Sequence, residues 1–103
     1  MKLDHIAINV YSIFNGVSYY KDTYNAEVIY EDSSWDMLKI GDTKIALVLE
    51  GQHKPHIALE CFSFDDFPDG CEINMHRDGS FYTYISDPYG NIIEKIYYPK
   101  ESG

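Results

Sequence analysis

The chain has 103 residues, of which 45% are hydrophobic and 16% aromatic, a composition that predicts one folded domain over residues 1–103. Its formal net charge of −9 argues against nucleic acid and anionic membranes as partners, because both are bound through basic surfaces. We expect a soluble cytoplasmic protein. The sequence shows no secretory signal and no membrane-spanning stretch, and Cys61 and Cys71 form no Cys-x-x-Cys pair.

One six-residue pattern occurs twice. His-Ile-Ala-Ile-Asn-Val at 5–10 returns as His-Ile-Ala-Leu-Glu-Cys at 56–61. In both copies large apolar residues alternate with small or polar ones, which predicts a strand with two different faces. His5 and His56 each fall on the less apolar face. The repeat therefore predicts a duplicated module with one site shared between the copies.

The first half, module one over residues 1–50, is predicted to be a strand, a helix and a three-strand meander. Ser12 is the predicted helix N-cap, and Asn25 suits the left-handed residue just past the helix. Gly16 weakens the helix by about 1 kcal/mol relative to alanine. The apolar stripe of this helix consists of Ile13, Val17, Tyr20 and Tyr24. The predicted strands are 3–10, 27–31, 35–40 and 43–50.

The second half, module two over residues 54–98, repeats this order with a shortened helix over 63–67 that Pro68 ends. Asp-Pro-Tyr-Gly at 87–90 predicts a type I turn in a tight hairpin. Because a sheet face must be buried against something, the short helix predicts a homodimer that covers this face. The predicted strands are 56–61, 71–76, 80–86 and 91–98, followed by a frayed tail, 99–103.

The last strands of the two halves differ at one informative position. Aligning them sets Glu94 opposite Ala46. If a pseudo-twofold relates the halves, then His5, His56 and Glu94 converge on one concave surface with Ala46 at the fourth corner. Two histidines and one carboxylate suit a divalent transition metal such as Fe, Mn, Ni, Co or Zn. The alternative is a metal-free pocket, although a buried carboxylate favours a metal or a positive ligand beside it.

Several motifs resemble the vicinal oxygen chelate superfamily, which contains glyoxalases, extradiol dioxygenases, methylmalonyl-CoA epimerases and fosfomycin- and bleomycin-resistance proteins. The resemblance covers nearly the whole chain. It implies an α+β fold in which two tandem βαβββ modules form a half-open mixed β-barrel around a divalent metal. Carried over by position, it implies His5, His56 and Glu94 as metal ligands. The motifs are Leu-Asp-His-Ile-Ala at 3–7, Tyr19-Tyr20, Pro-His-Ile-Ala-Leu at 55–59 and Asp-Pro-Tyr-Gly-Asn-Ile-Ile-Glu at 87–94.

The function implied by this resemblance is a small metal-dependent lyase, isomerase or dioxygenase. Its substrate would be a small molecule that chelates the metal through neighbouring oxygens, with Glu94 as ligand and base. Ala46 stands at the fourth-ligand position and cannot bind metal, so the pattern departs from glyoxalases and epimerases. One alternative is a non-catalytic, bleomycin-resistance-like binding protein. Another is a regulatory module with a vestigial site.

Other polar residues are predicted to lie outside the ligand set. His53 is interpreted as a solvated loop residue, and Glu50 as a carboxylate at the rim of the pocket. His76 is interpreted as a surface histidine, with an acid or base near the metal as the alternative. Tyr82 and Tyr84 share a strand face, where they either polarise a metal-bound oxygen or simply pack half-buried.

Overall fold

The computed structural model describes residues 1–99, so the predicted tail beyond Pro99 lies outside the described residues. The chain is an α+β protein with both parallel and antiparallel strand pairs. Within residues 1–99, no helix is long and apolar enough to cross a membrane. The elements are β1 Lys2–Val10, α1 Ile13–Tyr24, β2 Glu27–Glu31, β3 Trp35–Ile40, β4 Thr43–Leu49, β5 His56–Cys61, a 3₁₀ turn Phe64–Asp66, β6 Asn74–Met75, β7 Phe81–Ser86 and β8 Ile92–Tyr97.

One compact unit spans His5–His56. Its strands lie in the order β2-β3-β4-β1, where β1 and β4 are parallel and the other neighbours antiparallel. Alternation gives this sheet two apolar faces. One packs against α1 through a core of Ile13, Val17, Ala26, Leu38 and Leu47. The other carries a smaller cluster of Ala7, Ala46 and Val48 with Trp35 and Met37 packed against it.

Both predicted caps of α1 are confirmed. The Ser12 hydroxyl oxygen accepts a hydrogen bond from the Asn15 backbone N–H at 3.2 Å, and Asn25 adopts the left-handed conformation with φ 56°. Gly16 has a packing role that the sequence did not indicate. A Cβ at this position would lie 3.0 Å from Val10 Cγ1 and 3.3 Å from Leu47 Cδ1, so glycine lets the helix approach the sheet closely.

The second compact unit consists of Met1–Asp4 and the chain from Ile57 onward. Its strand order is β5-β8-β7-β6, and β7 pairs antiparallel with both β6 and β8. The 3₁₀ turn covers one face, since the Phe64 ring contacts Phe81 and Tyr97 at centroid distances of 5.1 and 4.8 Å. Lys95 Nζ also donates to the Asp66 carbonyl at 2.9 Å. The predicted short helix is thus confirmed as a single turn.

The predicted strand over 71–76 is wrong in extent. The Cys71 N–H donates to the Pro68 carbonyl at 3.3 Å, which closes a turn. Only Asn74 and Met75 pair with β7. The predicted hairpin turn at 87–90 is confirmed by the Gly90 N–H, which donates to the Asp87 carbonyl at 3.2 Å.

Asp36 is a buried carboxylate that the sequence did not single out. It is 0% exposed, and its Oδ1 accepts from the Asp32 N–H at 3.1 Å, whereas Oδ2 has no hydrogen-bond partner among residues 1–99. Burial raises the pKa of this carboxyl above its ordinary 3.8, and the charges of Glu31 and Asp32 raise it further. The charged form of Asp36 is therefore costly in the folded state.

We predict that Asp36→Val stabilises the protein at pH 7 by roughly 1–3 kcal/mol, because it removes a buried charge with an unsatisfied oxygen. The Asp32 N–H keeps a partner, since it also donates to the Trp35 carbonyl. The raised pKa means that the folded state holds the proton more tightly than the unfolded chain. The contribution of Asp36 to the free energy of unfolding therefore falls as pH rises from 3.8, the ordinary pKa, through the higher pKa of the folded state.

Urea unfolding measured between pH 3 and 8 checks this prediction. The advantage of Asp36→Val should shrink toward acidic pH, where the wild-type acid is neutral. Glu27→Val is the matched control, because it removes an exposed strand carboxylate and should change stability little. A less stable Asp36→Val at pH 7 would contradict the assignment of Asp36 as a destabilising charge.

Candidate functional site

Two of the three predicted ligands lie together in the unit His5–His56. The His5 side chain, 8% exposed, is on the face of β1 that also carries Ala7. The ring centroids of His5 and His56 are 6.0 Å apart with planes at 71°. A nitrogen–metal bond is about 2.0–2.1 Å, so one ion can contact a nitrogen of each ring at this separation.

His56 is oriented by the backbone. Its Nδ1 lies 2.9 Å from the Lys54 carbonyl oxygen. A carbonyl only accepts, so the proton sits on Nδ1 and the lone pair of the neutral ring is on Nε2. Sequence reasoning missed this contact, because a backbone carbonyl has no residue-type signal.

Ala46 occupies the face that the sequence predicted. It pairs with Ala7 across β1 and β4, and the two residues are 3% and 2% exposed. Val48 on the same strand face extends this apolar cluster. The predicted fourth-ligand position is thus a methyl group in an apolar wall.

Glu94, the third predicted ligand, belongs to the second unit. It lies on β8, is 3% exposed, and faces Tyr84 across the β7–β8 pair. Glu94 Oε2 is 2.9 Å from His76 Nε2, so the imidazole N–H donates to the carboxylate. This contact was not predicted as a pair, because the two residues are 18 positions apart.

The His76 ring is held in place by an aromatic neighbour. It stacks on Tyr82 with centroids 3.8 Å apart and planes at 15°. The Tyr82 ring in turn meets Tyr84 edge-on at 5.5 Å. The His76 side chain is 36% exposed, so it lies at the surface as interpreted, but it is not simply solvated. Its ring is hydrogen-bonded to the buried carboxylate of Glu94.

Two tyrosines of the second unit stay protonated near neutral pH. Burial raises the pKa of Tyr84, and the negative charge of Glu94 adds to the shift. Burial and the charge of Asp4 likewise raise the pKa of Tyr98, whose hydroxyl donates to both Asp4 carboxylate oxygens at 3.2 Å. Both phenols are thus proton donors rather than anions.

The remaining predicted residues lie elsewhere. His53 is exposed, as predicted, and its backbone carbonyl accepts from Asn9 Nδ2 at 2.8 Å. Glu50 is exposed at the end of β4 and lines a cleft of about 440 Å³ beside the start of α1, together with Tyr19 and Tyr20. None of the three predicted ligands lines this cleft.

No protein-family model and no curated protein sequence matches the chain. Solved structures do match. A glyoxalase/bleomycin resistance protein/dioxygenase superfamily member from Vibrio splendidus 12B01 is 14% identical, with TM-score 0.70 over 93% of this chain and 98% of that one. A methylmalonyl-CoA epimerase from Streptomyces coelicolor, in complex with 2-nitronate-propionyl-CoA, is 20% identical, with TM-score 0.73 over 97% and 99%.

A third similar structure is the Mn(II)-bound glyoxalase from Novosphingobium aromaticivorans. It is 18% identical, with TM-score 0.69 over 93% of this chain and 37% of that one. At these identities the likeness concerns the fold. The chain has the vicinal oxygen chelate fold, as its sequence motifs predicted.

The Lys54 contact predicts the tautomer of His56. When the His56 ring is neutral, it should carry its proton on Nδ1. A long-range ¹H–¹⁵N correlation spectrum of the metal-free protein at pH 8 measures this directly. The exposed His53 ring serves as the reference in the same spectrum. An Nε2–H pattern for His56 would contradict the orientation described above.

Proposed function

We propose that His5, His56 and Glu94 bind one divalent transition-metal ion, and that the protein is an enzyme of the vicinal oxygen chelate type. Its substrate would be a small molecule that chelates the ion through neighbouring oxygens. The observation that carries this proposal is the histidine pair, with centroids 6.0 Å apart and His56 Nε2 oriented for ligation.

The donor chemistry fits such an ion. Each of the three side chains offers one ligand atom, and two imidazoles with one carboxylate suit Fe, Mn, Ni, Co or Zn. The low exposure of Glu94, 3%, is consistent with a cation beside it, since a buried ionised carboxylate is stabilised by positive charge. A Mn(II)-bound glyoxalase among the similar structures is consistent with this chemistry.

A bound ion would supply Lewis-acid stabilisation of negative charge on a substrate oxygen. The chain itself supplies three ligands, and Ala46 replaces the fourth, which keeps coordination positions open for two substrate oxygens. We assign Glu94 a second role as a base: its ligating oxygen would dissociate transiently from the ion and accept a substrate proton. His76 would hold the other carboxylate oxygen during that transfer, through the N–H that donates to Oε2.

We also propose the duplicated architecture that the repeat predicts: one domain over residues 1–103, with modules 1–50 and 54–98 as tandem βαβββ units of a half-open barrel. The matching strand orders support it. The first unit has the order β2-β3-β4-β1 and the second β6-β7-β8-β5, so corresponding strands have corresponding neighbours. The free Cys61 and Cys71 support a cytoplasmic location.

A non-catalytic binding protein of the same fold is the second candidate. Ala46 favours it over a four-ligand glyoxalase or epimerase, because the buried methyl at that position cannot complete the cage. Metal content and turnover separate the two candidates.

We predict that protein purified without chelators, or reconstituted, holds close to one divalent ion per chain. His5→Ala and Glu94→Ala should lose most of it, because each removes a ligand. His53→Ala is the matched control, since it removes an exposed histidine outside the set. Elemental analysis after dialysis measures the stoichiometry.

Metal-free wild type under all these conditions would refute the enzyme proposal. If metal is held, a glyoxalase assay and an aerobic catechol assay separate isomerase from dioxygenase chemistry. Metal binding without turnover in either assay would favour the binding protein.

We further propose a homodimer. In the second unit only the 3₁₀ turn Phe64–Asp66 stands where the first has a 12-residue helix, and Phe62, Ile73 and Met75 are 68%, 46% and 65% exposed. A second copy would cover this apolar surface. Size-exclusion chromatography with light scattering at micromolar concentration should report twice the mass of 11.9 kDa. A monomer would refute this proposal.

A further inference from the structure

Resting on the proposed metal function, we propose that His76 is a positioning residue for Glu94. Its Nε2–H binds carboxylate oxygen Oε2 and thereby assigns the other oxygen, Oε1, to the metal. Glu94 then acts as a ligand through one oxygen in a fixed orientation.

The first support is the geometry of the contact. Nε2 and Oε2 are 2.9 Å apart, a normal charge-assisted hydrogen-bond distance. Glu94 is 3% exposed, whereas the His76 side chain is 36% exposed. The carboxylate is thus surrounded by protein, and the imidazole approaches it from the solvent side.

The second support is that the imidazole is fixed before any metal binds. Its ring stacks on Tyr82 at 3.8 Å. Its backbone is held at the end of β6, because the His76 N–H donates to the Ser80 carbonyl at 2.8 Å. Asp78 Oδ1 closes the intervening turn by accepting from the Ser80 N–H at 2.8 Å and from the Ser80 hydroxyl at 2.6 Å. An N–H aimed in this way loses little entropy on fixing the carboxylate.

The third support is the departure at Ala46. With three protein ligands in place of four, metal affinity depends more heavily on the orientation of each remaining ligand. Hydrogen-bond partners behind a metal ligand typically contribute 10- to 100-fold in affinity. His76 is the residue of this chain placed to contribute that factor at Glu94.

The test uses two replacements that separate the N–H from the ring. His76→Phe keeps a ring for stacking on Tyr82 and removes the donor. His76→Gln removes the ring and keeps an N–H that can reach a carboxylate. We expect His76→Phe to weaken the Kd for Co²⁺ or Mn²⁺ about 10- to 100-fold. We expect His76→Gln to recover most of that loss, and His53→Ala to match wild type.

The visible spectrum of the Co²⁺ form is the second readout. It should change in His76→Phe, because the carboxylate is no longer held to one-oxygen ligation, and it should stay close to wild type in His76→Gln. A purely structural role would move thermal stability in both variants without this split. Circular dichroism checks that each variant is folded.

The outcomes separate this inference from the function on which it rests. A wild type that binds no metal refutes both. Metal binding by wild type with an equal or tighter Kd in His76→Phe refutes the positioning role alone, and a tighter Kd would identify His76 as a competitor for Glu94. Equal losses in the Phe and Gln variants would also refute it, because they would show that the ring and not the N–H matters.

Discussion

The buried carboxylate of Glu94 is the constraint on which the second unit depends. A charge that is 3% exposed is costly unless donors or cations surround it. Within the second unit, His76 donates a hydrogen bond to it, and Tyr84 is its pairing partner on β7. An apolar residue at this position of β8 would avoid the electrostatic cost of burying a charge, so stability alone does not explain a glutamate here.

In the first unit, strand β1 contributes side chains to both faces of the sheet. In β1, Ile8 and Val10 pack toward the helix core, while His5 and Ala7 occupy the opposite face. Gly16 allows α1 to sit close to the sheet, which buries the apolar side well. The opposite face, which carries His5, consists of the small residues Ala7, Ala46 and Val48 with Trp35 and Met37 packed against them.

Period-2 alternation and the repeated His-Ile-Ala segment were sufficient to predict most strands and the proximity of His5 and His56, because these features depend on local spacing. Sequence reasoning failed where tertiary contacts determine the position or partner of a side chain. The His76–Glu94 contact joins residues 18 apart, and the Lys54 contact to His56 uses a backbone carbonyl. Nothing in the local pattern distinguishes Asp36 from an ordinary strand residue, because its burial depends on how β3 packs after it pairs with β2 and β4.

Alanine at position 46 affects the net charge that the proposed metal site would have. A carboxylate there would bring two negative charges to a divalent ion and neutralise it, whereas two neutral imidazoles and one carboxylate leave a net charge of +1. That residual charge favours an anionic chelating substrate within a protein whose overall charge is −9. The apolar cluster of Ala7, Ala46 and Val48, with Trp35 and Met37, lies on the histidine face and suits a carbon skeleton rather than a polar one. If the proposed site binds an ion, it would therefore favour a chelating ligand with one anionic oxygen, a neighbouring second oxygen and an apolar body.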